Sequence, residues 1–155
     1  MNSLFNGRAW PSDAGSALVE LAVALPLLVL VMVGATDFAR VFYTGIELTN
    51  AARAGAQYGA YNPAQSGDFA GMQTAATGSV NVTGVTATAS RTCQCATSAG
   101  TFSAATCSTT CASGQHLVVT VTVTTSKAFT TVAGSLPGIP RSVSLVRSAT
   151  LRVPN

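Results

Sequence analysis

From Leu21 to Thr36 the chain reads LAVALPLLVLVMVGAT, a run without one charged residue. Counted from Ser16, with only Glu20 interrupting, the low-charge stretch reaches 21 residues before Asp37. About 20 apolar residues, each rising roughly 1.5 Å, span a hydrocarbon core of about 30 Å. The run therefore suits a transmembrane helix over about residues 17–36. A secretory signal peptide competes, with Val33 and Ala35 as the small residues of a cleavage site. Against it, a helical pattern continues well past Ala35.

That continuation is DFARVFYTGIELTNAARAGAQYGAY, residues 37–61. Phe38, Val41, Phe42 and Gly45, then Leu48, Ala51, Ala52 and Gly55, recur at three- and four-residue steps. Asp37, Arg40, Glu47 and Arg53 fall mostly off that stripe. No breaker appears before Tyr61-Asn62-Pro63, so one helix is expected over residues 16–61, apolar all round in its first half and amphipathic in its second. Pro26 and Gly34 are candidate kinks.

Composition excludes several function classes. Only 8% of the residues are charged and the net charge is +3, against about 25% charged in ordinary soluble domains. No basic stripe is available to neutralise phosphates, so no nucleic-acid partner is expected. Five carboxylates and one histidine, His116, leave little for acid–base chemistry. We expect no enzyme, no cofactor and no metal site.

Residues 62–155 read as a small α+β module. Phe69, Met72 and Ala76 suggest a short helix ending near Gly78. Val80 and Val82 alternate, and the phase slips at Gly84 before Val85, Ala87 and Ala89, which predicts a bulge there. Leu117, Val119, Val121 and Val123 form the clearest strand, with Thr120, Thr122 and Thr124 facing the other way. Val143, Leu145, Ala149, Leu151 and Val153 form the last strand, interrupted by Arg147. The expected fold class is α+β: a long N-terminal helix packed by its amphipathic half on a small antiparallel sheet of three or four strands.

Cys93, Cys95, Cys107 and Cys111 all follow the apolar run. On an oxidising side they read as two disulfides. Zinc ligation and free thiols are the alternatives, although the CxC and CxxxC spacing fits zinc poorly. Of the three possible pairings, the nested one, Cys93–Cys111 with Cys95–Cys107, is expected because it draws both strands to one loop neck. The cysteines also vote on topology, since Arg8, Arg40 and Arg53 leave the positive-inside count undecided.

The segment from Gly15 through SALVELAVALPLLVLVMVGATDFARVFYTGIELTNAARAGAQYGA resembles TadE-like minor pseudopilins of tight-adherence pili, within the type IV pilin superfamily. The resemblance rests on Gly15, on Glu20 five residues after it, on Pro26 in the apolar run, on Asp37-Phe38 with Arg40, and on Asn50-Ala51-Ala52-Arg53-Ala54-Gly55. Leu136-Pro137-Gly138 and the final Ala149-Thr150-Leu151-Arg152-Val153 resemble the family's C-terminal end. The chain departs from the pattern at Asp13-Ala14, where leaders are more basic, and at Leu21, often Phe.

The resemblance implies a pilin-like fold, a leader over residues 1–15 and an extracytoplasmic domain over residues 62–155. It implies cleavage between Gly15 and Ser16 by a prepilin peptidase, and pairing of Glu20 with the freed Ser16 amine during assembly. Glu20 could otherwise simply complement the positive end of the helix. The implied partners are the peptidase, other pilin and pseudopilin subunits, an inner-membrane assembly platform and membrane lipid. The implied location is the cytoplasmic membrane, N-terminus inside and C-terminal domain outside, and then the pilus on the cell surface. A membrane-anchored or secreted binding module, contacting its target through the Cys93–Cys111 loop, is the other reading.

Overall fold

The computed structural model describes residues 13–135 and 138–154. Most of the expected leader, with Arg8 and Trp10, lies outside the described residues, as does the Leu136-Pro137 pair. The fold is α+β, a long N-terminal helix packed on an antiparallel sheet. Helix α1 covers Asp13–Ala60, 48 residues and about 72 Å at the standard rise, and it runs unbroken through Pro26 and Gly34. Within it the hydroxyls of Thr36, Thr44 and Thr49 donate to the carbonyls four residues back, each at 2.8 Å. It stops where expected. Asn62, held out of the helical region by Pro63, accepts the Gln65 N–H at 2.8 Å through its side chain and leads into a 3-10 turn at Gln65–Gly67.

Helix α2, Phe69–Gly78, begins at Asp68, whose carboxylate accepts the Gly71 N–H at 2.8 Å. The other oxygen of that carboxylate accepts the Tyr58 hydroxyl at 2.7 Å and so ties the new helix to the end of α1. The Gly71 N–H and the Tyr58 hydroxyl hold the Asp68 carboxyl below its ordinary range.

Four strands follow: β1 Thr86–Thr97, β2 Phe102–Ala105, β3 Gln115–Thr130 and β4 Ser142–Arg152. They form an antiparallel sheet in the order β2-β1-β3-β4. Gly84 is not a bulge. It sits in a turn ahead of β1 with φ of 75°, a left-handed geometry that glycine adopts freely. Residues 80–85 lie outside the sheet, and β1 instead runs on through Cys93 and Cys95.

The inner face of the sheet carries Ala87 and Ala89 from β1, Val119, Val121, Val123, Thr125 and Phe129 from β3, and Leu145 and Ala149 from β4. Leu48 of α1 packs with Phe129 and Leu145 near the middle of the chain's long axis. Farther along, Ala56 packs with Met72, Ala76, Val121, Val123 and Val153. Gly55 permits the helices to close: a Cβ there would stand 2.6 Å from the Met72 carbonyl and 3.1 Å from Val123. Thr125 is the one polar side chain in this layer with no exposure, and its hydroxyl donates to the Leu48 carbonyl at 2.8 Å. The outer face carries Thr86, Thr88 and Ser90, then Thr122, Thr124 and Ser126, then Ser148 and Thr150. Their hydroxyls bond across strands, as between Thr122 and Thr150 at 2.8 Å.

Two core substitutions test this packing. Leu48→Ala deletes a side chain with no exposure and should cost about 2–5 kcal/mol. Gly55→Leu should cost about 1–3 kcal/mol by overpacking. Thermal unfolding in detergent reads both, and a neutral Gly55→Leu would contradict the close approach of α1 to α2.

Candidate assembly surface

The expected processing residues sit at the start of α1. Gly15 and Ser16 lie in its first turn, and Glu20 lies one turn on from Ser16. All three are exposed, and among the described residues no atom from elsewhere in the chain lies within 4 Å of the position a Gly15 Cβ would take. Residues four apart share a helix face, so Ser16 and Glu20 lie together on one side of the rod.

From residue 15 to residue 36 every position is exposed except Val33, which is half-buried. This stretch holds the chain's candidate membrane span, and none of its most apolar window is buried. An apolar rod left bare on all sides needs lipid or other helices around it.

The rod ends at Asp37, a residue expected to fall off the packed stripe. It is instead 7% exposed. Its carboxylate accepts the Val132 N–H at 2.9 Å and the Ala133 N–H at 2.8 Å, and the Arg40 guanidinium at 3.3 Å. Asp37 therefore clasps the β3–β4 connection to the helix. The two backbone N–H groups, Ala133 first, hold its carboxyl below the ordinary range; Arg40 adds to this and burial works against it. Arg40 also lies over the Phe129 ring, 5.1 Å from its centre. The signal for Asp37 was present in the sequence, as the first acid after the uncharged run.

Two parts of the expected stripe behave differently. Phe38 and Phe42 do not face the sheet: they are 64% and 57% exposed and touch each other, with ring centres 4.5 Å apart. With Ile46, also exposed, they continue the rod's apolar surface outward along α1. Ala51, Ala52 and Gly55, the small residues of that stripe, are buried within the chain itself. The small side chains admit α2 and the sheet, whereas Gly34 and Ala35 remain exposed. Arg147, the break in the last strand, lies across α1 at Gly45.

The four cysteines form two disulfides at the end of the sheet farthest from the apolar rod. Cys93 joins Cys107 and Cys95 joins Cys111, with Cα separations of 5.1 and 5.7 Å. The nested pairing expected above is wrong, and the register gives the reason. Cys93 lies opposite Ala105, so Cys107, two residues beyond, emerges beside Cys93. The chain then turns, with the Thr109 N–H donating to the Thr106 carbonyl at 3.0 Å. It must return toward Thr97 to begin β3 opposite it, and Cys111 passes Cys95 on the way. None of the four is free for zinc or as a thiol. Among the described residues no cluster of His, Cys, Asp and Glu could hold a metal ion.

An exposed apolar rod continuous with a disulfide-stapled α+β domain fits a membrane-anchored protein. Residues 15–57 match the TadE-like protein family, and that segment is similar to TadE-like proteins. No curated protein and no solved structure matches it.

Two measurements follow from this geometry. A carboxyl depressed on folding stabilises the native state above its unfolded pKa of about 3.9, and that contribution is lost as pH falls through the lower folded value. Asp37→Asn should lower Tm at neutral pH and make Tm fall less between about pH 5 and pH 2. An unchanged acid profile would remove Asp37 from the account. Proteolysis without reduction, followed by peptide mass analysis, should recover Cys93 with Cys107 and Cys95 with Cys111; nested peptides would overturn the register argument.

Proposed function

We infer that this chain is a minor pseudopilin, a structural subunit cut by a prepilin peptidase between Gly15 and Ser16 and used to assemble or prime a tight-adherence pilus. The observation that carries this reading is the TadE-like match, which begins at Gly15 and covers both the bare rod and the clasp. The family is a structural one, and the match supports a pilus-associated, pseudopilin-like role.

The chemistry runs as follows. Residues 1–15 are the leader, removed on the cytoplasmic side. The bond to be cut lies in the first turn of α1, where the N–H groups lack intrahelical partners and unwinding is cheap. Cleavage frees an α-amine on Ser16, with a reference pKa of about 7.7–8.0, so it is largely protonated at neutral pH. Glu20 shares its helix face. A carboxylate at the centre of a span costs about 2.5–3.5 kcal/mol to insert, and less near an end. Pairing with the amine of its own or a neighbouring subunit offsets that cost and favours extraction into a filament. There the exposed faces of the rod, extended by Phe38, Phe42 and Ile46, meet the helices of other pilin and pseudopilin subunits.

In this reading residues 62–155 lie outside the cytoplasmic membrane and the N-terminus inside, which the two disulfides support because such bonds persist on an oxidising side. An assembly platform in the inner membrane and its lipid complete the set of partners. A second reading, an anchored binding module, is favoured by Phe102, which is 60% exposed on the stapled hairpin.

The deciding experiment is the intact mass and N-terminal sequence of the chain from its native membrane. Processing predicts a start at Ser16 and 155 − 15 = 140 residues. Gly15→Leu should leave the leader attached. Glu20→Gln should be cut normally yet recovered in pili at no more than about a tenth of the wild-type level. A start at Thr36 would mean a secreted domain. An uncut wild-type chain would favour the binding module, whereas full assembly of Glu20→Gln would remove Glu20 from the assembly account.

A further inference from the structure

The start of the connection between β3 and β4, Val132 and Ala133, lies against α1. Val132 and Ala133 form one wall of an apolar groove, and Leu25, Val29, Leu30 and Val33 of α1 form the other. Leu25 lies twelve residues before Asp37, about 18 Å along the helix axis. The groove therefore opens on the surface of the apolar rod itself, on the rod's side of the Asp37 clasp.

Charges mark its upper limit. Asp37 and Arg40 stand at the clasp, and Arg141, exposed, stands where the connection returns to β4. No residue of the groove wall is charged. Val132 is 55% and Ile139 41% exposed, a poor arrangement against water and a favourable one against hydrocarbon.

Irregular backbone is excluded from the hydrocarbon core, so such a segment stays at headgroup level, where pairing of its N–H groups lowers the cost of leaving water. Here the Val132 and Ala133 N–H groups donate to Asp37. The Thr131 N–H donates to the Arg141 carbonyl at 3.1 Å, and the Thr131 hydroxyl to the Pro140 carbonyl at 2.8 Å. The three backbone N–H groups at the start of the connection, those of Thr131, Val132 and Ala133, are thus paired within the chain.

We propose that Val132 and Ala133, at the start of the β3–β4 connection, form a wedge set into the leaflet next to the domain at headgroup level, and that a lipid acyl chain fills the groove between them and α1. The occupant follows from continuity, because the helix wall belongs to the same rod whose other sides face lipid tails. The proposal rests on α1 being the membrane span, so its test carries a separate probe for that.

The test uses tryptophan fluorescence of the full chain in phosphatidylcholine vesicles whose acyl chains are brominated at known depths. The single native tryptophan is removed by Trp10→Phe. In that background Val29→Trp reports the span and Val132→Trp the wedge, with Ala133→Trp in its place if the first misfolds. Bromines deep in the chain should quench Val29→Trp. Bromines near the headgroup should quench Val132→Trp at least twofold, independently of the protein-to-lipid ratio.

If Val29→Trp is quenched while the wedge probes answer only to aqueous acrylamide, the wedge is wrong and the span stands. If none is quenched by bromine, the span reading falls with it. Headgroup-level quenching of Val132→Trp that weakens as the protein density rises would place a second copy of the chain in the groove and overturn the lipid as occupant.

Discussion

One face of the sheet is apolar and the other is a field of hydroxyls, and this asymmetry governs the molecule. Thr and Ser side chains of the outer face pair across strands, as Thr86 with Ser126 and Thr122 with Thr150. The inner face must be covered, and a four-stranded sheet of this size cannot cover itself. The cover is the second half of α1 with α2 beside it. The first half of the same helix is the apolar rod. Rod and core are thus one continuous element, and the orientation of the domain relative to the rod is set by a helix without a break.

Continuity alone would leave the junction bare, because α1 narrows to a single rod just where the sheet ends. Asp37 resolves this. It is the first charge after the apolar run, and it binds two consecutive backbone N–H groups of the β3–β4 connection. A carboxylate there serves as an ion at the edge of the apolar zone and as an acceptor for backbone that has no ladder partner. Arg40, one turn on, balances the charge and covers Phe129. The Asp37-Phe38 and Arg40 pattern that marks the resemblance has a structural purpose at this boundary.

The sequence made the long helix, its end at Asn62 and the alternation of β3 legible because each depends on local rules: helical spacing, proline and period two. Met72 and Ala76 were legible in the same way. Periodicity could not assign Asp37 or Thr125, because their polarity is satisfied by groups distant in the chain, the Val132 and Ala133 amides and the Leu48 carbonyl. Phe38 and Phe42 look like core by hydropathy, yet they sit on the helix face that no strand reaches. The cysteine pairing was hidden because it follows from the β1–β2 register, which no spacing of cysteines encodes. Of the candidate assembly residues, sequence spacing put Ser16 and Glu20 on one helix face, and the fold adds that this face is bare.

The disulfides stand where the helix runs out. Strand β3 has 16 residues, about 53 Å at roughly 3.3 Å each, whereas α1 from Asp37 to Ala60 is about 36 Å long. The last turn of α1, with Tyr58 and Ala60, packs on the cluster that contains Val119 and Val121. Beyond it the inner face continues to Cys93 opposite Val119 and Cys95 opposite Leu117. Arg91, one step nearer, is met by Ser66 of the 3-10 turn at 3.2 Å. Past that point no helix remains, and the segment carrying Cys107 and Cys111 is held over the strands by covalent bonds. A segment of Thr, Ser, Ala and Gly has too little apolar surface to hold itself there, so the disulfides complete the layer that α1 begins.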